Sequence, residues 1–232
     1  MAQDEHEPLY PSAVLPRDRE GRGVRSTAGM VVDAWRHRPV PRRVIGTLST
    51  LLLLGGVGLL SYPFLTNVYG DWRQSRLEVE FAEPETRDAY AARAVVVGEA
   101  LTKIAVPRLG LETVVVEGTS PSALRAGAGH YEGTALPCEL GNAAVAGHRT
   151  TYSKPFSDLH RLREGDEIVM ITPVGRCVYE VVGAPWTTRP NDLGVLARVE
   201  GASVLTLTTC HPPGSASERL IVRAELVSSE VA

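Results

Sequence analysis

The stretch Ser203–Leu226 reads SVLTLTTCHPPGSASERLIVRAEL and contains two runs in which apolar and polar residues alternate. Alternation with a period of two is typical of a β-strand with one buried face. The segment between the runs, HPPGSAS, is rich in proline, glycine and serine, which favour turns. The stretch therefore predicts two antiparallel strands joined as a hairpin.

The alternation also predicts which side chains share a face of this hairpin. In the first run one face carries Leu205, Leu207 and Thr209, and the other carries Thr206, Thr208 and Cys210. In the second run the apolar set is Leu220, Val222, Ala224 and Leu226. Arg219 therefore points away from the core, on the same side of the sheet as Cys210, and both flank the loop.

Similar short apolar runs recur from residue 94 onward, separated by turn-forming segments. They are LTKIAVP, ETVVVEG, AAVAGH, DEIVMI, CVYEVVG, SVLTLTTC and RLIVRAEL. Many short strands with few long helical patterns predict an all-β sandwich or barrel, with short helices such as the one in SPSALRAG. We assign this β domain to residues 94–229.

A long uncharged segment precedes the β domain. No charged residue occurs from Val44 to Gly70, and about 20 apolar residues suffice for a helix to cross the hydrocarbon core of a membrane. A buried core helix is an alternative, but such helices are rarely so long and uncharged. A cleaved signal peptide is another, but its apolar region should lie nearer the N-terminus. We therefore predict a transmembrane helix at residues 44–68.

The charges beside this segment predict its orientation. Four arginines precede it, namely Arg36, Arg38, Arg42 and Arg43. Because positive charge prefers the cytoplasmic side, residues 1–43 would form a disordered cytoplasmic tail. A stalk at residues 69–93, interrupted by Pro84, would lead to an extracellular β domain. The predicted location is the plasma membrane, with a single span.

Charge and cysteine content narrow the remaining choices. The chain has 232 residues and a formal net charge of −3, so its bulk charge does not indicate a nucleic-acid partner. It has 3 cysteines, and cysteines outside the membrane usually pair. We hypothesise a disulfide between Cys138 and Cys177, which would leave Cys210 as a free thiol. The spacing alone does not establish this pairing.

A free cysteine at the end of a strand, near an arginine, is a candidate nucleophile. A positive neighbour favours the thiolate, and a cysteine nucleophile usually needs a histidine as its acid and base. The histidines of the outer region are His130, His148, His160 and His211. His211 follows Cys210 directly and would face the other way. Spacing alone does not decide between His148 and His130.

Two longer segments resemble the sortases, the cysteine transpeptidases of Gram-positive cell surfaces. They are GNAAVAGHRTTYSKPFSDLHRLREGDEI and LTLTTCHPPGSASERLIVRAEL, and the resemblance runs from about residue 101 to residue 227. It implies His148, Cys210 and Arg219 as catalytic residues and a sortase-type eight-stranded β-barrel as the fold. Within the family, GAGHYEGTALP, TTCHP and RLIV are most similar to the class E sortases of actinobacteria.

The resemblance also implies a substrate, partners and a chemistry. The substrate is a surface protein with a C-terminal LAxTG-type or LPxTG-type sorting signal, whose Thr–Gly bond is cleaved through an acyl-enzyme thioester. The acceptor is an amine of a peptidoglycan precursor of the lipid II type, and no cofactor or metal is required. Tyr131 is the candidate for reading the substrate residue after leucine, and Thr209 is a candidate donor to the substrate.

Other functions stay open at this point. A class C-like pilin polymerase is disfavoured because the stalk lacks an Asp-Pro-aromatic lid. A non-catalytic, wall-tethered β-module and a hydrolase are further alternatives. A zinc site could use Cys138, His148, Cys210 and His211, although none of these shows a paired ligand spacing. One departure from the family pattern is Cys138, which stands where a glycine is expected.

Overall fold

The computed structural model describes residues 39–231, so most of the predicted cytoplasmic tail, residues 1–38, lies outside the described residues. The helices are α1 (Pro39–Phe81), α2 (Pro84–Ala91) and α3 (Pro121–Ala126). The strands are β1 (Ala100–Val106), β2 (Leu111–Glu117), β3 (Ala128–His130), β4 (Gly141–Ala146), β5 (Glu167–Thr172), β6 (Gly175–Val181), β7 (Trp186–Thr188), β8 (Ser203–His211) and β9 (Glu218–Val231). Short 3₁₀ turns lie at Pro107–Leu109, Leu159–Arg161 and Leu193–Leu196.

Eight of the strands form a closed barrel. Neighbouring strands follow the order β6-β5-β1-β2-β3-β4-β8-β9, and β9 also pairs with β6, which closes the sheet. The short ninth strand, β7, pairs with the first part of β9. The predicted all-β class and the eight-stranded barrel are therefore confirmed, and closure leaves the barrel without long free edges.

The predicted hairpin is the pair β8 and β9, and its core face lies as the alternation predicted. Leu205 and Leu207 of β8 are fully buried in the barrel core, with Val222 and Ala224 of β9 beside them. Truncating a buried leucine of this kind to alanine costs about 2–5 kcal/mol, because a cavity remains. The apolar half of the alternation therefore supplies the packing that closes the barrel.

The opposite face of β8 is covered as well. Thr206 is fully buried, and its hydroxyl donates a hydrogen bond of 2.7 Å to Asn142 Oδ1. The amide group of Asn142 in turn donates to the carbonyl oxygens of Val195 and Ala197. Through these bonds Asn142 holds the segment that follows β7 against the outer face of β4 and β8.

A parallel pair of strands, β4 and β8, decides where the functional side chains meet. Its register runs from Gly141 opposite Ser203 to Ala146 opposite Thr208. Since the two strands run in the same direction, their C-terminal ends lie at the same end of the barrel. Parallel neighbours need a long connection, and here residues 147–202 supply it.

Cys138 and Cys177 form a disulfide across a sequence separation of 39 residues, so the hypothesised pairing is present. The bond joins the loop between β3 and β4 to strand β6, where Cys177 is buried. The backbone N–H of Cys138 also donates to the hydroxyl of Tyr179, a fully buried residue of β6. Cys210 is the free cysteine of the described chain.

The helix α1 contains the predicted membrane span. It is long and apolar enough to cross a membrane, and the side chains of its most apolar window are not buried. The chain divides into two compact units, of which the first ends at Gly55 and the second begins at Gly56. In the first unit the described side chains, from residue 42 onward, are all exposed. An apolar helix without a polar face is typical of a membrane span.

In the second unit, α1 continues through residues that the sequence assigns to the stalk. Leu77 is fully buried in a small cluster that includes Val114 and Val116 of β2. The side-chain amide of Gln74 donates to the carbonyl oxygens of Val114 and Ala126 and accepts from the N–H of Val114. The helix ends at Phe81, and α2 begins with Pro84, as expected for a residue without an N–H. The boundaries drawn at residues 44, 69 and 94 stay predictions.

Candidate active site

Cys210 occupies the end of β8, where the barrel surface opens. Its side chain is partly exposed, whereas the preceding residues of β8 from Val204 to Thr209 are buried. In the antiparallel pairing of β8 with β9, Cys210 lies directly opposite Arg219. Residues opposite each other across an antiparallel pair point to the same face. The prediction that Cys210 and Arg219 flank the loop on one side of the sheet is therefore confirmed.

His148 comes to the same place through the parallel pair. It lies two residues beyond Ala146 on the chain of β4, and Cys210 lies two residues beyond Thr208 on β8. The ladder continues past the last register pair, because the N–H of Gly147 donates to Thr208 O at 3.1 Å. Adjacent strands are about 4.8 Å apart, and matched positions share a face. Continued for two residues past its last pair, this register puts His148 and Cys210 at the same end of the barrel, on neighbouring chain segments.

Arg149 also belongs to this site, although no pattern in the sequence indicates it. Its side chain is buried, with 6% of the residue exposed. One terminal nitrogen of its guanidinium donates to Cys210 O at 3.2 Å and to His211 Nδ1 at 2.8 Å. Because arginine can only donate, His211 accepts this hydrogen bond at Nδ1. Arg149 thus bridges the ends of β4 and β8, next to both His148 and Cys210.

The surroundings of His148 disfavour its charged form. Burial lowers the pKa of His148 from its ordinary value of 6.5, and the positive charge of Arg125, on α3, lowers it further. The imidazole ring also lies beside the ring of Tyr152, with 5.2 Å between the ring centroids and 38° between their planes. His148 is therefore a neutral base near neutral pH, and it needs the approach of a negative group to become protonated.

Arg219 keeps its guanidinium at the mouth of the site. It donates to the carbonyl oxygens of Ala216, at 3.2 Å, in the loop between β8 and β9, and of Glu218, at 3.1 Å, the first residue of β9. Its backbone is held between Cys210 on one side and Thr188 of β7 on the other. The main chain is thus fixed, whereas the side chain can exchange exposed carbonyl partners for an incoming anion or carbonyl group.

Comparison with known proteins identifies the family of the chain. The family model described as the sortase domain matches residues 104–227, which is more than half of the chain. The chain belongs to the sortase family. The sortase SrtE1 of Streptomyces coelicolor is 30% identical over 176 residues, which cover 70% of this chain and 46% of that protein. The chain therefore spans about half the length of this relative.

Solved sortase structures have the same fold. Sortase E from Streptomyces avermitilis is 39% identical with a TM-score of 0.54, covering 59% of this chain and 93% of that one. A sortase D5 transpeptidase from Clostridium perfringens is 28% identical with a TM-score of 0.60, covering 69% of this chain and 99% of that one. Relatives of class E are thus among those that match, as the sequence motifs indicated.

Tyr131 lies on the same face of this sortase as Cys210. Its hydroxyl is 3.2 Å from the hydroxyl of Thr208, which precedes Cys210 by two positions and therefore shares its face. The side chain is partly buried at the end of β3. Tyr131 therefore contacts the face of β8 that carries Cys210.

Thr209 points to the other side, into the end of the barrel. It is buried, and its hydroxyl donates to Gly147 O at 2.8 Å. A hydroxyl bond from Thr209 to the substrate would therefore have to break an existing bond in this sortase. What Thr209 holds is the residue before His148. Gly147 must be a glycine here, because a Cβ would lie 2.6 Å from the ring of Phe156.

The second candidate histidine of the sortase domain, His130, has a structural role. It is 1% exposed, with Nδ1 at 2.8 Å from Glu117 Oε2 and Nε2 at 2.9 Å from Ala135 O. Both ring nitrogens therefore have hydrogen-bond partners. His130 is thus held by β2 and the β3–β4 loop, and of the two candidates His148 is the one that follows the strand paired with β8.

The zinc alternative loses one of its four ligands. Cys138 is bonded to Cys177 and cannot coordinate a metal. His211 accepts a hydrogen bond from Arg149 at Nδ1, which leaves only Nε2 free. Among the described residues, no group of three or more histidine, cysteine or acidic side chains is arranged to hold a metal ion.

Proposed function

We propose that this protein is a membrane-anchored cysteine transpeptidase that cleaves the Thr–Gly bond of a C-terminal LAxTG-type or LPxTG-type sorting signal. It then joins the surface protein to an amine of a lipid II-type peptidoglycan precursor. The observation that carries the proposal is the register of three strands. The register of β4 and β8 supports a position of His148 near Cys210, and the pairing of β8 with β9 puts Arg219 opposite Cys210.

In the first half-reaction Cys210 is the nucleophile. Its thiolate attacks the threonine carbonyl carbon, and the carbonyl oxygen becomes an oxyanion. His148, as imidazolium, donates its proton to the glycine nitrogen as the C–N bond breaks. The products are a thioester on Cys210, a free glycine amine and a neutral His148.

In the second half-reaction the acceptor amine attacks the thioester. Neutral His148 takes a proton from the attacking amine, and the thiolate of Cys210 leaves as the new amide bond forms. The enzyme is thereby restored to its starting protonation. If water enters instead of the amine, the same residues catalyse hydrolysis, so the supply of acceptor decides between the two outcomes.

Arg219 stabilises the oxyanion in both half-reactions. Arginine is always charged and offers several donors in a fixed plane, and donors aimed at a developing oxyanion contribute most where water is excluded. Its present partners, Ala216 O and Glu218 O, belong to exposed residues at the end of the β8–β9 loop and the start of β9. Substrate binding can therefore draw the guanidinium toward the threonine carbonyl without breaking a buried contact.

The protonation states limit the rate. Because burial lowers the pKa of His148, the imidazolium that the first half-reaction needs is rare near neutral pH. We therefore expect a slow enzyme in which substrate binding improves the protonation of His148.

The membrane arrangement forms part of the proposal. The arginines just before the apolar segment of α1 favour a cytoplasmic N-terminus and an extracellular catalytic domain at the plasma membrane. Tyr62 and Asn67 contact the barrel through hydrogen bonds to Tyr152 and Ser153. We expect the lipid-embedded part of α1 to end before Tyr62, because these polar partners cannot lie in the hydrocarbon region.

A peptide-cleavage assay tests the function. The full-length protein is incubated in detergent with LAxTG and LPxTG peptides, with and without an added amine, and the products are weighed by mass spectrometry. We expect a thioester intermediate, an amide product when amine is present, and loss of both with Cys210→Ala. Absence of cleavage and of covalent labelling at Cys210 would favour a non-catalytic β-module. A product formed only with a lysine-containing pilin acceptor would favour a pilin polymerase.

A further inference from the structure

The part of α1 that lies in the second unit presents one face to the barrel. Its buried residues are Thr66, Gly70 and Leu77. These positions are separated by three to four residues or multiples of them, so they form a single stripe along the helix. A helix that served only as a membrane tether would not need such a stripe. The contacts that the helix makes around Thr66 and Gly70 explain why the stripe is present.

Two residues beside this stripe, Asn67 and Asp71, bond to the loop that follows His148. We define this loop as residues 149–158 and name it the His148 loop. Asn67 Oδ1 accepts from the N–H of Ser153 at 3.0 Å, and the hydroxyl of Ser153 donates to Asp71 Oδ1 at 2.6 Å. Gly70 lies between these two residues, against the same serine. A Cβ at Gly70 would be 2.3 Å from Ser153 Oγ and 3.0 Å from Ser153 N.

The His148 loop has a backbone conformation that needs external support. Tyr152, Ser153 and Lys154 have φ angles of 52°, 57° and 39°, which form a run of three left-handed residues without a glycine. Each such residue costs roughly 1–2 kcal/mol. The bonds from Asn67 and to Asp71 are centred on the middle one, Ser153, so α1 is the element that compensates this cost.

The same loop contacts the catalytic histidine at two points. The N–H of Phe156 donates to His148 O at 3.1 Å. The ring of Tyr152 lies 5.2 Å from the imidazole of His148 on one side. On the other side it meets the ring of Tyr69, on α1, edge to face, with 6.5 Å between the centroids. Tyr152 therefore fills the space between the helix and the catalytic imidazole.

We propose that α1 is a positioning element of the active site: Asn67, Gly70 and Asp71 hold the His148 loop so that Tyr152 orients the imidazole of His148 toward Cys210. This inference rests on the proposed function, in which His148 transfers the protons. None of these residues touches the reacting atoms. They act through His148, so the part of α1 that lies in the second unit belongs to the same structural unit as the catalytic centre.

The test uses the full-length protein in detergent and compares Gly70→Ala with Gly58→Ala. Both changes replace a glycine of α1 with the best helix former, but a Cβ at Gly58 meets nothing within 4 Å. We expect Gly70→Ala to lower kcat by about ten- to a hundredfold with little change in KM, because the imidazole is displaced. Gly58→Ala should leave kcat unchanged.

A second variant identifies the contact responsible. Ser153→Ala removes the atom nearest to the new methyl group, so the double variant Gly70→Ala with Ser153→Ala should recover part of the lost rate. Tyr152→Leu, which leaves the helix contacts of Ser153 in place, should lower kcat by a similar factor. This variant also keeps the proposal testable if Gly70→Ala does not fold.

A readout at His148 itself separates positioning from general stability. The ring protons of His148, followed by NMR as a function of pH, should titrate closer to 6.5 in Gly70→Ala and Tyr152→Leu, because the imidazole becomes more exposed. Wild-type kcat and wild-type titration in both variants would overturn the proposal. If the wild-type protein cleaves no peptide, the proposed function fails, whereas the titration still decides whether α1 positions His148.

Discussion

Cys210 lies directly opposite Arg219 in the antiparallel pairing of β8 with β9. The pair stands one position before the last pair of the ladder, His211 with Glu218, and there Cys210 is partly exposed. A thiol and a guanidinium at such a pair are presented rigidly by their backbones, while their side chains face solvent. The first prediction, which concerns Arg219, follows from this pairing.

Replacing Arg219 should impair catalysis without unfolding the barrel. We expect Arg219→Ala to lower kcat/KM by about a hundred- to a thousandfold, as for the loss of an oxyanion donor. Arg219→Lys should recover only part of this, because an ammonium lacks the planar fork of donors. The measurement is steady-state peptide cleavage, with Arg176→Ala, an exposed residue of β6, as the control. Equal activity of Arg219→Ala and the control would contradict the assignment.

Replacing Arg149 should displace Cys210, because the guanidinium of Arg149 holds the carbonyl oxygen of this residue. Arg149→Met leaves Cys210 O and His211 Nδ1 without their shared donor. We expect a loss of about 1–3 kcal/mol in the free energy of unfolding and a fall in kcat of roughly tenfold or more. His211→Asn, whose side-chain oxygen can also accept from Arg149, should be milder. Thermal unfolding and kcat are measured on the same samples, and a wild-type kcat for Arg149→Met would show that the bridge is dispensable.

The pH dependence should reflect the burial of His148. Burial, and then the charge of Arg125, lower the pKa of His148 below its ordinary 6.5. The acid limb of kcat/KM against pH reports the lower pKa of the acid–base pair, so its midpoint should lie below 6.5. Arg125→Gln removes a charge that disfavours imidazolium, so the limb should move to higher pH and the maximal rate should rise. A shift to lower pH would refute this explanation.

The disulfide should stabilise the barrel independently of catalysis. Cys138→Ala combined with Cys177→Ala opens a loop of about 40 residues, for which the chain-entropy relation gives about 4 kcal/mol. The comparison is best made in a Cys210→Ala background, so that no free thiol can exchange with the disulfide. Thermal unfolding with and without reductant is the measurement. Reductant should destabilise the parent but leave the double variant unchanged, and an effect of reductant on both would contradict the prediction.

Tyr131 should influence which sorting signal is preferred. Its hydroxyl contacts Thr208, two positions before Cys210 on the same face. We expect Tyr131→Ala to change the ratio of kcat/KM for LAxTG and LPxTG peptides by about tenfold or more, since a single methylene in an apolar pocket is already worth about 1–3 kcal/mol. Tyr131→Phe separates the ring from its hydroxyl. Unchanged selectivity in both variants would discard the role.

Much of the fold could be predicted because alternation is a local property. A run such as SVLTLTTC specifies its own two faces, and Leu205 and Leu207 are buried as expected. The apolar segment from residue 44 likewise predicted a helix without reference to the rest of the chain. The disulfide and the position of His148 depend on how distant strands pair, so spacing left both as hypotheses.

Other features could not be predicted, because no local pattern encodes them. Arg149 follows His148 in the sequence, but its burial depends on Cys210 and His211 arriving at the end of the neighbouring strand. In the sequence Gly70 is one more small residue of an apolar helix, and only the packing of Ser153 against it sets it apart. The hydroxyl of Thr209, a candidate donor to the substrate, bonds to Gly147 O, which only the pairing of β8 with β4 decides.

The sequence by itself determined the β-hairpin, the candidate nucleophile at its end and the arginine across from it, since side-chain alternation and a short loop need only neighbouring residues. The tertiary structure decided which histidine meets that cysteine. A connection of 56 residues, from 147 to 202, separates β4 from β8. Their parallel register forms only when the whole barrel closes around its core, and this closure brings His148 to Cys210 and the His148 loop to α1.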